Sequence, residues 1–141
     1  AGIVDYIEEI DKHHFKDNEE IATHLKAERI GKLQREAESE ILLPLLNFLK
    51  QKKGVKILGD LDLSIDKKVP TISIDIKGDL DKVVQQLNKK RLMAGSGDFY
   101  AVRLLEALGI ELPAGVLRLS FVHYTKSKEI DALIEALDQI L

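Results

Sequence analysis

Between Gly115 and His123 the chain alternates. Leu117, Leu119, Phe121 and His123 fall on one side, and Val116, Arg118, Ser120 and Val122 on the other. A period of two is that of a strand with one buried face. After a turn at residues 124–127 the period changes. Ile130, Leu133, Ile134, Leu137, Ile140 and Leu141 recur at helical spacing, which predicts an amphipathic helix over residues 128–141. Ser127 suits its N-cap, and Glu129 and Asp131 stand in the first turn, where the helix dipole favours negative charge.

Helical and strand periods recur along the rest of the chain. Ile3, Tyr6, Ile7 and Ile10 share a helical face, and residues 11–18 are polar and turn-prone. A longer helical pattern runs from residue 19 to 53 through Ile21, Leu25, Leu33, Ala37, Ile41, Leu45, Phe48 and Leu49. Pro44 lacks the N–H that a helix interior needs, so a bend or break is expected there. The first half of this helix carries little apolar surface. Its Ile21, Leu25 and Leu33 are expected to find their partner outside the sheet, against another copy of the chain or a neighbouring domain. Lys52-Lys53-Gly54 reads as the helix end.

Residues 55–59 form a short strand, and 60–68 a charged connection with room for an edge strand. Residues 70–76 alternate with Ile72, Ile74 and Ile76 on one side. Asp79 suits the cap of a helix with the buried stripe Leu80, Val83, Val84 and Leu87. Residues 91–94 are a strand candidate, Gly95-Ser-Gly97 a loop, Asp98 a second cap, and 99–108 a helix stopped by Gly109. From Gly54 onward the order is β, β, α, β, α, β, α. This predicts an α/β sandwich: a small sheet of three or four strands, mixed or antiparallel, covered by helices mainly on one side and preceded by the long helix.

Composition sets the outer bounds. A chain of 141 residues suits one core, and 45% hydrophobic with 32% charged residues is globular. The net charge of −3 implies no nucleic-acid partner. No apolar run is long enough to span a bilayer, and no signal peptide is visible, so a cytoplasmic location without membrane contact is expected. The absence of cysteine removes disulfides, thiolate metal sites and a cysteine nucleophile. The chain begins at Ala1 rather than Met, as a processed start or a piece of a longer protein would.

Candidate chemistry is sparse. His13, His14 and His24 have no helical ligand spacing and read as surface histidines. Gly95-Ser-Gly97 before Asp98 resembles a phosphate cradle only superficially, since Asp98 would repel an anion and a plain turn accounts for it. Asp60, Asp62 and Asp66 do not follow a calcium-loop pattern. No metal site is expected. Arg118 stands apart. An arginine in mid-strand, on the face opposite Phe121, suits a bidentate carboxylate clamp, although by its chemistry alone a solvated strand-face arginine is the commoner case.

The segments Gly97-Asp-Phe-Tyr-Ala-Val-Arg-Leu-Leu-Glu-Ala-Leu-Gly109, Gly115-Val-Leu-Arg-Leu-Ser-Phe-Val-His-Tyr124 and Glu129-Ile-Asp131 resemble the C-terminal small domain of class V aminotransferases, the cysteine-desulfurase-like enzymes that use pyridoxal phosphate. Ala1-Gly-Ile-Val-Asp-Tyr6 resembles the end of their large domain, and Gly54-Val-Lys-Ile-Leu-Gly59 their first small-domain strand. Two departures stand out. The family's asparagine–threonine after the tyrosine is Thr125-Lys126 here, and the loop that carries the desulfurase cysteine reads Ala94-Gly-Ser-Gly-Asp-Phe99. It matches instead the branch in which an aromatic residue, tyrosine and alanine follow, here Phe99-Tyr100-Ala101.

The resemblance implies the small domain of a fold type I pyridoxal-phosphate enzyme acting on an amino acid. Residues 1–53 would be the end of the large domain and the interdomain helix, and 54–141 the small domain. Arg118 would bind the substrate carboxylate. The cofactor would be held through a lysine of a large domain of the same chain, before Ala1. No lysine here matches that motif, so no catalytic or cofactor-binding residue is expected in this segment, and alone it would neither bind the cofactor nor turn over amino acids. A homodimer is implied. The alternative is a free-standing α/β binding or regulatory module that shares only the architecture.

Overall fold

A computed structural model gives the fold and describes residues 2–16, 21–60 and 69–141. The elements are α1 (Gly2–His14), α2 (Thr23–Gln51), β1 (Val55–Leu58), β2 (Thr71–Ile76), α3 (Leu80–Lys89), β3 (Gly95–Gly97), α4 (Val102–Ala107), β4 (Val116–Ser120) and α5 (Ser127–Ile140). The strands form one antiparallel sheet in the order β1-β2-β4-β3. Of the two sheet types expected, the antiparallel one is observed.

The alternation of β2 and β4 places the core. Ile72, Ile74, Leu117 and Leu119 are fully buried on one face. Leu42, Leu45, Leu46 and Leu49 of α2 cover them, with Leu80, Val83 and Leu87 of α3 and Ile130, Leu133, Ala136 and Leu137 of α5. Burying such side chains is worth roughly 1.5–3 kcal/mol each before the entropy of ordering is subtracted. The opposite face carries a smaller cluster, in which Leu105 of α4 and Ile110 pack on Val116, with Leu58 and Phe99 beside them. The helices are thus mainly, though not only, on one side.

Several expectations need correction. α2 runs without a break through Pro44. The buried leucines at 42, 45, 46 and 49 flank the proline on both sides, and their packing holds the helix where the chain alone would interrupt it. Within the chain, α1 packs along α2, and Ile30 of α2 is buried, whereas Leu25 stays 44% exposed. α1 also continues to His14 through residues read as turn-prone. Its Asp11 is buried and is held as a fork by Arg29 Nε and Nη2, the second bond 2.6 Å long. The same guanidinium lies 4.2 Å from the Phe15 ring centroid. Residues 17–20 and the edge strand considered within 60–68 fall largely outside the described residues.

Near the C-terminus the strand candidate at 91–94 is turn and coil, and Gly95–Gly97 is the strand. α4 starts at Val102, three residues later than expected. α5 includes Ser127, which is its first helical residue rather than its cap. The cap position is Lys126, whose backbone N–H donates to the Glu129 carboxylate at 2.8 Å. Asp79 caps α3 as expected, accepting from the Lys82 N–H at 3.0 Å.

Candidate functional site

β4 holds Arg118 between two fully buried leucines, with its side chain on the face away from the main core. The row across the sheet at this level is Ser73, Arg118 and Gly95. Gly95 has no side chain, so the space beside Arg118 is open, and the ring of Phe99 fills it. Phe99 Cζ lies only 3.2 Å from where a Gly95 Cβ would stand. The Arg118 guanidinium carbon then sits 3.8 Å from the centroid of that ring. A planar cation over an aromatic face within about 6 Å is attracted by the ring quadrupole.

The backbone is bent to bring the ring there. Phe99 and Tyr100 both have left-handed conformations, with φ of 48° and 63°. Bulky residues adopt this region at a cost of order 1–3 kcal/mol each, so the surrounding structure must hold them. Asp98 Oδ1 accepts the Tyr100 N–H at 2.8 Å, and Asp98 O accepts the Ala101 N–H at 2.8 Å. Asp98 therefore braces this turn instead of capping α4. Upstream, the Ser96 hydroxyl donates to Asp81 at 2.9 Å and ties β3 to α3. The Gly95-Ser-Gly97 segment, expected as a plain turn, is an edge strand.

Tighter still is the approach of β3 to the start of β4. A Cβ on Gly115 would overlap the Gly97 carbonyl oxygen, and Gly115 has φ of +71°. Only glycine lets the two strands close at this point.

Arg118 is exposed, and among the described residues no hydrogen bond or ion pair engages its guanidinium. The stack on Phe99 occupies one flat face and leaves the N–H edge toward solvent. Tyr100, beside it in sequence, is fully exposed. The partner of Arg118 was not evident from the sequence. The signal for it was an aromatic residue just past a Gly-x-Gly segment, which reads equally well as the start of a helix.

The other candidates stay apart from this site. His13 and His14 are exposed with ring centroids 5.0 Å apart, and His24 is exposed on α2. Among the described residues no group of three His, Cys, Asp or Glu side chains is arranged to hold a metal ion. A fourth histidine, His123, follows β4, and its Nε2 is 2.7 Å from the Tyr6 hydroxyl. Glu38 lies near it, and burial pushes its carboxyl above the ordinary carboxylate value while His123 and Arg35 pull it back.

The fold matches solved structures. A cysteine desulfurase from Thermococcus onnurineus NA1 superposes with a TM-score of 0.69 at 22% identity, over 84% of this chain and 28% of that one. The fold is that of the C-terminal small domain of cysteine desulfurases. The NifS-like protein of Rickettsia africae shares this small domain with a TM-score of 0.66 at 20% identity, over 84% of this chain and 31% of its own. In sequence, the chain is similar to the aminotransferase-like protein FGM3 of Gibberella zeae, 29% identical over 108 residues. It spans about a quarter of that relative, 27%, and 75% of this chain is matched. No protein-family model matches. The resemblance of the small domain to class V aminotransferase-like enzymes therefore stands on sequence as well as on fold. Among the described residues no helix is long and apolar enough to cross a membrane.

Proposed function

We propose that this chain is the C-terminal part of a pyridoxal-phosphate enzyme acting on an amino acid, and that Arg118 binds the substrate's carboxylate. One observation carries the reading: a strand-borne guanidinium, stacked on one face and free of any acidic partner among the described residues, with its N–H edge open. Such a fork takes a carboxylate through two parallel hydrogen bonds. It fits the carboxylate end of an amino acid presented by a cofactor held elsewhere. The cofactor, when bound, supplies the electron sink for bond breaking at the substrate's α-carbon. Residues 1–53 then correspond to the end of a large domain and the interdomain helix, and 54–141 to the small domain. A cytoplasmic homodimer completes the reading.

Kinetics of the full-length enzyme test it. Arg118→Lys keeps the charge and removes the planar fork, so kcat/KM for the amino acid should fall by about 1–3 kcal/mol in transition-state terms, the scale of hydrogen bonds to charged groups. The melting temperature should stay within a degree or two. Unchanged kinetics would return Arg118 to an ordinary exposed arginine. A large melting loss would make it structural.

A further inference from the structure

We infer that Phe99 is a positioning residue for Arg118, holding the guanidinium in the orientation that receives a carboxylate. The inference rests on the reading of Arg118 given above. An arginine side chain has many rotamers, and a ligand must fix most of them when it binds. Here one face of the guanidinium already lies on a ring, 3.8 Å from its centroid. Stacking uses the π face, and a carboxylate uses the N–H edge, so the two contacts do not compete.

The ring is itself packed. It abuts the bare backbone of Gly95, the cross-strand partner of Arg118, and joins the cluster of Leu105, Ile110 and Val116. Its backbone is held left-handed, at a φ that a residue serving only to fill the core does not need. Gly95, Phe99 and Arg118 thus form one device: a vacancy, a ring that fills it, and a cation oriented by the ring. The ring's para carbon is the atom that a Gly95 Cβ would press on, so only a residue without a side chain leaves the ring its place.

Nuclear magnetic resonance of the 15N-labelled protein reads this without any turnover. The Arg118 Nε–H proton should lie upfield of an ordinary arginine, shifted by the ring current, and should move when acetate is titrated in. Phe99→Leu keeps an apolar side chain in the cluster and removes the π face. It should return the proton to its ordinary position and weaken acetate binding about two- to fivefold, the equivalent of an exposed cation–π contact. Phe99→His, which restores a flat ring, should recover most of the acetate affinity.

Gly95→Ala, which forces the ring to give by a few tenths of an ångström, should weaken acetate binding in the same direction; it also serves if Phe99→Leu does not fold. Equal acetate affinity in the wild type and a folded ring variant would overturn the inference and leave the carboxylate reading in place. Acetate that leaves the wild-type Arg118 signal unmoved would remove the carboxylate reading itself, and the inference with it.

Discussion

The Tyr6 hydroxyl lies 2.7 Å from Nε2 of His123, joining α1 to the segment that leaves β4 across 117 positions of sequence. The Tyr124 ring meets the same imidazole edge-on, with centroids 5.1 Å apart. The N-terminal helix is therefore tied to the end of the strand that carries Arg118. Tyr6→Phe keeps the ring and removes the bond. Because Tyr6 is 43% exposed, water replaces much of what is lost, and the cost should be about 0.5 kcal/mol, the low end for such bonds. The urea midpoint of the variant checks this; a loss several times larger would mean that α1 depends on this contact far more than its exposure indicates.

The pair of Asp11 and Arg29 gives a pH dependence with a definite sign. The Arg29 hydrogen bond holds the Asp11 carboxyl below its ordinary value, with burial opposing and the charges of Arg29 and Lys26 adding. A group depressed on folding stabilises fully above its unfolded value, about 3.9, and loses that contribution as pH falls through the folded one. Asp11→Asn should thus be less stable than wild type at neutral pH, and the gap should close as the solution is taken well below pH 4. A gap that is constant with pH would show that the charge of Asp11 is not what matters.

Glu38 should behave in the opposite sense. Its carboxyl is raised on folding, chiefly by burial. The associated stability is present below the unfolded value, about 4.3, and is lost as pH rises through the folded value. Glu38→Gln should therefore gain slightly on the wild type between pH 4 and 7. Denaturation curves at the two ends of that window decide it, and a variant that loses stability at pH 7 would contradict the assignment.

Leu117 is fully buried in the middle of β4, whereas Leu104 on α4 is 60% exposed. Leu117→Ala removes core volume that the flanking helices cannot readily recover, at a cost of about 2–5 kcal/mol. Leu104→Ala should stay within about 0.5 kcal/mol of wild type. Thermal unfolding of the two side by side tests whether the core lies between the sheet and α2, α3 and α5.

Gly115→Ala should be among the most damaging single methyl additions. Its φ of +71° disfavours any side chain, and the new carbon would overlap the Gly97 carbonyl oxygen. The two effects together should exceed about 2 kcal/mol. Gly2→Ala, which meets nothing within 4 Å and lies on α1, is the matched control and should be neutral or mildly stabilising. A tolerated Gly115→Ala would mean that β3 and β4 separate easily.

Regular patterns were the legible part of this chain. β2 and β4 followed from alternation at Ile72, Ile74, Leu117 and Leu119, and α3 and α5 from their apolar stripes, because one buried face imposes a period. β3 was not legible: Gly95 and Gly97 have no side chains with which to show one. α4 was placed too early because the left-handed turn at Phe99 and Tyr100 depends on contacts with Gly95 and Asp98 that sequence spacing does not reveal. Asp11 read as a turn residue because its partner, Arg29, lies eighteen positions away on another helix. Of the candidate site, Arg118 and its outward direction were legible; the ring beneath it was not, since that contact crosses from strand to loop.

The brevity of β3 bears on how this protein behaves in a crowded solution. Among the described residues it closes one side of the sheet, and it is three residues long, two of them glycine. An edge strand offers unpaired backbone groups on which a second molecule can lay a strand of its own and begin a fibre. Here an incoming chain finds so short a rail, with so few side chains to grip, that sheet-to-sheet stacking has little to start from at this side. The glycines that let Phe99 approach Arg118 thereby also leave the molecule poorly suited to grow into an aggregate along that edge.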